Sequence, residues 1–215
     1  MAEFTKAIRL AIDISMDNEA VKRQQQLLQT IEQVDLERAT IASVDGYYYR
    51  TTNLRYAKDP LATIGAEKYG GRYNFKPPDG YSIPCLYCGE EDLTATTEKF
   101  YGLKRSRTSL PPHAVFAIKV TLNHVLDLSD RVYCQAANID WQGINQPWEY
   151  FQDRLKTPSY SQKIGELAYN FASVEAIKFV STKQPSKHNL AIFTDKLLFS
   201  SIVKVYDPKN DLNQI

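Results

Sequence analysis

The chain has 215 residues, and its 26 lysines and arginines nearly balance its 25 aspartates and glutamates, leaving a formal net charge of +1. This balance argues against a strongly basic nucleic-acid-binding protein and against an acidic tail protein. Apolar residues make up 43% and charged residues 24% of the chain, a composition typical of globular rather than disordered proteins. The 14 tyrosines indicate either an aromatic core or a pocket that is both apolar and polar, because each ring carries a hydroxyl.

The sequence contains no recognisable targeting or membrane segment, so we expect a cytoplasmic protein without membrane contacts. Charged residues interrupt residues 1–16, which argues against a signal peptide, and no uncharged apolar stretch of about 18 residues is found. The three cysteines, Cys85, Cys88 and Cys134, are few and odd in number, which favours a reducing compartment without disulfides.

The first part of the chain is predicted to be helical. Apolar side chains recur at three- and four-residue steps over residues 17–38, with polar and charged side chains between them. The preceding residues 8–14 fit a helix or a strand equally well. We therefore expect an N-terminal helical segment over residues 1–44 in front of a main domain over residues 45–215. The predicted helix could cover an active site, dimerise the protein or pack on a sheet, and the sequence leaves these roles open.

From residue 47 onward, short β-type runs are separated by helices. The predicted strands are residues 47–51, 83–88, 114–121, 125–128, 176–181, 190–193 and 202–206, and the predicted helices are residues 92–101, 148–155 and 161–172. Apolar side chains alternate at period two over residues 114–120, which predicts a central strand. Because strands and helices do not alternate regularly, the pattern favours an α+β fold with a mixed or antiparallel sheet over a Rossmann fold.

Cys85 and Cys88 form a C-x-x-C motif, but the motif is a weak signal here. No second pair follows it, and the three histidines lack the spacing of metal ligands, so the sequence predicts no metal site. Positions three apart in a strand face opposite sides of the sheet. We therefore expect two buried and unreactive thiols.

The run Gly70-Gly71-Arg72-Tyr73-Asn74 carries a more informative pattern. Paired glycines permit a close approach of the backbone to a ligand, and they also permit unusual backbone angles. The guanidinium of Arg72 offers a planar fork of donors that suits phosphate or carboxylate oxygens. The plain alternative is a Gly-Gly turn with an arginine in solvent.

Arg50 ends the run Tyr47-Tyr48-Tyr49 in a predicted strand, where Arg50 and Tyr48 share one face. A cation placed among aromatic rings on an inner strand needs an anionic partner. The alternative is an arginine at the end of a strand, in contact with solvent.

Glu98 lies in the helix predicted over residues 92–101. At helical spacing, the predicted buried stripe consists of Leu93, Thr97 and Phe100, and the adjoining edge consists of Thr94, Glu98 and Tyr101. This edge would let Glu98 face a cleft, whereas a solvated carboxylate is the commoner fate of a glutamate.

Ser181 closes a predicted strand and is followed by a polar loop. A hydroxyl at the end of a buried strand is a usual pocket residue, although a serine in a turn explains the same pattern. No G-x-S-x-G elbow surrounds Ser181, which argues against a hydrolase nucleophile.

Taken in order, these motifs resemble the RES domain family, which is named for characteristic Arg, Glu and Ser residues. Tyr49-Arg50 is similar to its opening strand, and Gly70 to Asn74 is similar to its G-G-R-W-N motif, with Tyr73 in place of Trp. Leu86-Tyr87 followed by Glu98 is similar to its strand-then-helix segment, and Val125 to Leu128 to its later D-L strand. The closing segments of the family resemble Phe179-Val180-Ser181, where the family often has Pro at the middle position, and Asn189 to Phe193.

The resemblance runs from Tyr47 to Phe193 and implies a fold similar to ADP-ribosyltransferase toxins and an enzyme that degrades NAD. Many members of the family are toxins of toxin–antitoxin pairs that are inhibited by a helix-turn-helix antitoxin. NAD would be the substrate, without a metal. The implied partners are therefore NAD and an antitoxin, with no direct contact to nucleic acid, and a homodimer is left open.

The resemblance also implies roles for individual residues. Glu98 would bind a ribose hydroxyl and stabilise the developing cation. Arg50 and Arg72 would bind the phosphates, or one of them would orient Glu98. Ser181 would bind the nucleotide or hold Glu98 in place. Tyr87 would border the nicotinamide ring. Tyr73 and Asn74 are also expected to contact the nucleotide.

Three questions about the reaction stay open in the sequence. The acceptor of the ADP-ribose group could be water or inorganic phosphate. Transfer to a protein would usually want a second acidic residue two positions before the glutamate, where this chain has Thr96. A catalytically silent binding module is the alternative from another class, with the helix over residues 17–38 as its contact surface.

Overall fold

The computed structural model describes residues 19–80, 82–105 and 109–209. Its first element is helix α1, residues 19–29, which is followed by short 3-10 turns at Thr30–Gln33 and Leu36–Arg38. The helix predicted over residues 17–38 therefore ends earlier than expected. Val34 and Asp35 are extended, and the Asp35 side chain caps the second turn by accepting from the Glu37 N–H. The undecided residues 8–14 lie outside the described residues.

Five further α-helices and one π-helical segment follow α1 in the described part of the chain. They are α2 (Ile64–Tyr69), α3 (Asp92–Arg105), α4 (Arg131–Ala136), α5 (Trp141–Ile144), the π-helical segment (Tyr150–Leu155) and α6 (Tyr160–Asn170). The sequence predicted α3, the π-helical region and α6. It missed α2, α4 and α5 because helices of four to six residues are too short to show a helical period.

The seven predicted β-type runs fold into six strands. They are β1 (Ile41–Asn53), β2 (Leu86–Gly89), β3 (His113–Leu128), β4 (Ala176–Val180), β5 (His188–Ile192) and β6 (Ile202–Val205). The two runs predicted over residues 114–121 and 125–128 form one strand, β3. The strand continues through polar Asn123 and His124, whose N–H groups both donate to the carboxylate of Glu175.

The strands form one sheet in the order β1-β2-β5-β4-β3-β6, and β1 also pairs with β3, so five strands close into a ring. Strands β3 and β4 run parallel and the other described pairs are antiparallel, which confirms the predicted mixed sheet. Strand β3 pairs with three strands, as expected for a central one. The ring has a weak seam, because β1 and β2 are joined through the single residue pair Tyr49 and Gly89.

Two apolar clusters cover the two faces of the ring. The inner cluster combines side chains from all five ring strands, including Leu86, Cys88 and Ile118. The outer cluster packs strand residues against helical residues such as Ile164 of α6, and it also contains Cys85. Cys85 and Cys88 therefore face opposite sides of the sheet, as predicted. Both thiols are buried, and burial raises the pKa of each to about 12, so neither is a reactive thiolate.

Helix α1 and the 3-10 turns after it pack on the outer cluster, which is one of the roles that the sequence left open. Leu27 of α1 lies against this cluster, as do Ile31 and Val34 beyond the helix, and Leu36 belongs to it. The side chain of Gln24 adds a hydrogen bond from Nε2 to the Pro158 carbonyl at 3.0 Å. Part of the predicted apolar stripe thus packs inside the molecule. The division of the chain into residues 1–44 and 45–215 stays a prediction.

Among residues 19–80, 82–105 and 109–209, every helix is too short or too polar to cross a membrane.

Candidate active site

The five residues from Gly70 to Asn74 form a tight loop after α2. Gly70 caps the helix with a positive φ of 73°, a conformation that glycine adopts easily. The backbone groups of Gly71 and Asn74 then bond to each other, N to O at 2.9 Å and 3.3 Å, so that Arg72 and Tyr73 lie at the tip of the turn. A Cβ on Gly71 would lie 2.6 Å from the Tyr87 hydroxyl, so the loop requires glycine there.

Tyr87 fastens this loop to strand β2. Its hydroxyl accepts from the Tyr73 N–H at 2.9 Å and donates to Asn74 Oδ1 at 2.7 Å. Burial raises the pKa of both Tyr73 and Tyr87, so the two hydroxyls stay neutral. Tyr73 and Asn74 are each 1% exposed, and the Tyr73 ring packs edge-to-face on Phe179. These residues therefore support the loop from within, and their expected contact with a nucleotide stays a prediction.

A second layer from α6 and the π-helical segment supports the same loop. Gln162 Nε2 donates to the Gly71 carbonyl at 3.0 Å and to Gln152 Oε1 at 2.8 Å. Gln152 Nε2 donates to the Tyr69 carbonyl at 2.6 Å. Gly165 lets α6 come close, because a Cβ there would lie 1.8 Å from the Tyr73 carbonyl oxygen. No local sequence pattern indicates these contacts, because they depend on how α6 packs against the loop.

Arg72 points from the tip of the loop toward two other segments. Its Nη1 donates to the carbonyls of Ile144 and Gln146, at 2.9 Å and 3.2 Å, where α5 ends. Carbonyls at a helix C-terminus favour a cation. Its Nη2 donates to Thr182 Oγ1 at 3.3 Å, directly after Ser181. In the described part of the chain, Arg72 has no carboxylate partner.

Glu98 and Ser181, which lie 83 positions apart in the sequence, are in direct contact. The Ser181 hydroxyl donates to Glu98 Oε1 at 2.5 Å. Asn189 of β5 donates to the same oxygen through Nδ2 at 3.1 Å. Among the described residues, no group donates to Oε2 of Glu98, so this oxygen is available to a ligand.

The loop after Ser181 lies along one edge of α3. Gln184 bonds Thr94, Ser181 bonds Glu98, and the Lys183 ammonium lies 4.1 Å from the centre of the Tyr101 ring. Thr94, Glu98 and Tyr101 therefore lie on one edge of α3, as predicted. The predicted buried stripe was wrong at Leu93, which is 55% exposed, while Thr94 and Ala95 are buried. Gly89 explains the rotation, because its missing side chain lets α3 approach until a Cβ would lie 2.8 Å from the Ala95 nitrogen.

Arg50 lies on the other face of the sheet from Tyr87. Arg50 pairs with Phe116 and Tyr48 with Ile118, so Arg50 shares the face of the inner cluster, whereas Tyr87 packs on the outer one. Its Nη2 donates to the Ala62 carbonyl at 2.6 Å, and burial lowers the pKa of the guanidinium. No described carboxylate pairs with it. Its chain neighbour Tyr49 forms the seam to Gly89, so Arg50 lies beside the opening of the ring.

The structure thus places Glu98 and Ser181 in direct contact and bonds Arg72 to Thr182, the residue after Ser181. Arg50 lies apart from them at the seam. A carboxylate with one free oxygen can stabilise a developing positive charge. Two arginines without carboxylate partners can bind an anion with charge-assisted hydrogen bonds. In residues 19–80, 82–105 and 109–209, no group of three or more histidines, cysteines, aspartates and glutamates could hold a metal ion.

Comparison with known families identifies the family of this chain. The model of the RES domain matches residues 47–212. The chain belongs to the RES domain family. The match covers most of the chain, from the seam strand β1 to beyond β6, and includes every candidate site residue named above.

A solved structure shows the same fold as this RES domain chain. It is the crystal structure of the M. tuberculosis MbcT–MbcA toxin–antitoxin complex, which matches with a TM-score of 0.61 at 19% sequence identity. The match covers 84% of this chain and 89% of the other. A search of curated proteins finds no match.

Asn189 is a further contact of the candidate site that the sequence did not indicate. It stands at the start of the closing segment that resembles the family. Its direction toward Glu98 depends on the register of β5 between β2 and β4, which no local pattern reveals.

Proposed function

We propose that this RES domain protein degrades NAD by cleaving the bond between nicotinamide and ribose. The observation that carries the proposal is Glu98, whose Oε1 accepts hydrogen bonds from Ser181 and Asn189. Its Oε2 accepts none from the part of the chain that the structure describes. A fixed carboxylate in a half-buried position is suited to a reaction that develops positive charge beside it.

Cleavage of the nicotinamide–ribose bond passes through an oxocarbenium-like state, as glycoside cleavage does. The bonding electron pair leaves with nicotinamide, and positive charge develops on the ribose ring. Glu98 Oε2 would accept a hydrogen bond from a ribose hydroxyl and stabilise this charge. Ser181 would act through Glu98, because its hydroxyl already donates to that carboxylate.

The pyrophosphate of NAD carries negative charge that needs basic partners. Neither Arg72 nor Arg50 forms an ion pair with a described carboxylate, although Asp59 acts on Arg50 at longer range. The lack of an ion pair supports their expected role as phosphate anchors. Arg72 also bonds Thr182, next to Ser181, so it is the arginine better placed to orient the Glu98 side of the site. The half-buried ring of Tyr87 would border the nicotinamide.

The acceptor of the ADP-ribose group is either water or inorganic phosphate. Water would yield ADP-ribose, and phosphate would yield ADP-ribose with a phosphate on the anomeric carbon. Product analysis with and without added phosphate separates the two reactions. Thr96, two positions before Glu98, bonds Thr51 through its hydroxyl at 2.9 Å, so no carboxylate is present there to orient a protein acceptor.

We further propose that the protein is the toxin of a toxin–antitoxin pair and acts in the cytoplasm. The similarity of its fold to a chain of the M. tuberculosis toxin–antitoxin complex supports this role. A helix-turn-helix antitoxin that covers Glu98 would inhibit the enzyme. Expression of the chain alone should then arrest growth, and Glu98→Ala should relieve the arrest.

The activity is tested by mixing the purified chain with NAD and measuring nicotinamide release. Glu98→Gln should reduce the rate by about 100- to 1000-fold, because the amide carries no charge to stabilise the cation. Glu166→Gln is the matched control, since Glu166 is exposed on α6 and pairs with Lys163 at 2.7 Å. Wild-type release by Glu98→Gln would overturn the assignment. No release by any variant, with intact NAD binding, would favour a silent binding module.

A further inference from the structure

Asn189 and Ser181 approach Glu98 from two different strands. Ser181 follows β4, and Asn189 belongs to β5, the antiparallel partner of β4. Both donate to Oε1 of Glu98, at 3.1 Å from Asn189 and 2.5 Å from Ser181. Two donors from separate elements fix the plane of a carboxylate better than one, because the side chain can no longer rotate about a single bond.

The donor role of Ser181 is dictated by its own partners. Its oxygen accepts from the N–H groups of Gln184 and Lys183, at 3.0 Å and 3.3 Å. With these lone pairs in use, the hydroxyl proton points to Glu98. If the Ser181 side chain rotated to another rotamer, these two N–H groups would lose their acceptor. Ser181 is thus one of the two donors to Glu98 Oε1.

Asn189 is the second donor to Glu98 Oε1, and the glycine opposite it in the sheet makes this contact possible. In the sheet, Asn189 lies across from Gly89 of β2, and directly opposed residues share a face. Gly89 has no side chain, so α3 comes close at this point and the carboxamide of Asn189 reaches Glu98. Asn189 is 5% exposed, so its side chain has little access to bulk water as an alternative partner.

We propose that Asn189 is a positioning residue for Glu98, which keeps Oε1 occupied and directs the free Oε2 toward the substrate. The expected effect on kcat rests on the proposed function. The expected effect on the Glu98 carboxylate rests only on its contact with Asn189. Asn189 does not touch the substrate in this scheme, since its amide bonds Glu98.

The test replaces the amide by a carboxyl of the same shape in Asn189→Asp. When this carboxyl is protonated it can still donate to Glu98, and when it ionises two negative charges meet at hydrogen-bond distance. We expect kcat to fall by about 10- to 100-fold as the pH rises through this ionisation, while KM changes by less than about threefold. The dependence of kcat on pH in the wild type should lack this additional decrease, which we call the additional limb.

Two further variants make the result specific. Asn189→Ala removes the donor without adding a titrating group, so kcat should fall at every pH and the shape of the profile should not change. Asn138→Asp is the matched control: Asn138 is exposed and its amide donates to the Gln33 carbonyl at 3.1 Å, away from Glu98. Its profile should follow the wild type.

Other titratable groups surround this part of the sheet. They are Glu90, Glu91, Lys183, Lys187 and His188. All are present in every variant, so a limb found in Asn189→Asp alone belongs to the new pair of carboxyls. A profile of Asn189→Asp that follows the wild type would overturn the proposal.

A measurement that does not depend on activity separates this proposal from the proposed function. The ¹³C resonance of the Glu98 carboxyl, assigned by its loss in Glu98→Gln, should titrate in an additional step in Asn189→Asp and not in Asn138→Asp. If the wild type releases no nicotinamide, the proposed function fails, and this titration still decides whether Asn189 holds Glu98. An unchanged Glu98 titration in a folded Asn189→Asp variant would contradict the positioning role.

Discussion

Two carboxylates of this molecule, Glu98 and Glu175, bind their neighbours in contrasting ways. Glu175 is completely buried, and all its contacts are internal: Oε2 accepts from the N–H groups of Asn123 and His124, and Oε1 accepts from the Leu198 N–H and the Ser201 hydroxyl. Glu98 is half-buried and uses one oxygen. A carboxylate whose two oxygens both accept internal hydrogen bonds holds the fold together, whereas a partly exposed one with an oxygen left over is suited to bind a ligand.

The first prediction tests the structural role of Glu175 by removing its charge. Glu175→Gln places an NH₂ group among donors, so at least one buried N–H loses its acceptor. We expect the free energy of unfolding to fall by about 2–4 kcal/mol, measured by urea denaturation. The variant should still release nicotinamide at low temperature, where it is folded. Wild-type stability in Glu175→Gln would mean that Glu175 is not the structural partner that its contacts indicate.

The second prediction concerns the support beneath the Gly70–Asn74 loop. In Gly165→Ala, the new methyl would lie 1.8 Å from the Tyr73 carbonyl oxygen, so α6 or the loop must move. We expect the free energy of unfolding to fall by about 1–3 kcal/mol, with a loss of activity. Gly65→Ala in α2 is the matched control. A Cβ there meets nothing within 4 Å, so this variant should be slightly more stable than the wild type.

The sequence predicts features that depend on local residue patterns better than contacts between segments that are distant in the chain. The strands, the opposed cysteines and the edge of α3 follow from periods of two and 3.6 residues, and all three are found in the structure. The face of Arg50 relative to Tyr87 depends on how β1 closes the ring, and the contact of Asn189 depends on the register of β5. These are properties of strand pairing between distant segments. Ordered motifs indicated the positions of Glu98 and Ser181 but left open whether Ser181 holds Glu98 or binds the nucleotide. The structure shows the contact between the two side chains.

The third prediction weakens the fixation of Glu98 without removing its charge. Ser181→Ala deletes one of the two donors to Oε1, so kcat should fall by about tenfold while the carboxylate remains. Ser129→Ala provides the control, because the Ser129 hydroxyl also donates to a carboxylate, Asp127 Oδ1 at 2.5 Å, outside the site. An equal loss of kcat in both variants would point to a general effect on the sheet.

The smallest effect is expected in the acid range. Burial alone would raise the pKa of Glu175, but the bonds from Ser201, Leu198, His124 and Asn123 together lower it below its usual value. A lowered pKa in the folded state contributes stability above the unfolded pKa of about 4.3, and this contribution is lost as the pH falls through the folded pKa. Urea denaturation should therefore show the gap between wild type and Glu175→Gln narrowing below about pH 4. A constant gap would contradict this linkage.

The most direct measurement compares nicotinamide release from NAD by the wild type, Glu98→Gln and Glu175→Gln, each at a temperature where circular dichroism shows a folded protein. The structure predicts that the wild type and Glu175→Gln release nicotinamide and that folded Glu98→Gln releases it about 100- to 1000-fold more slowly than the wild type. A wild-type rate in Glu98→Gln would contradict the assignment of Glu98 as the catalytic carboxylate, whatever the rate of Glu175→Gln.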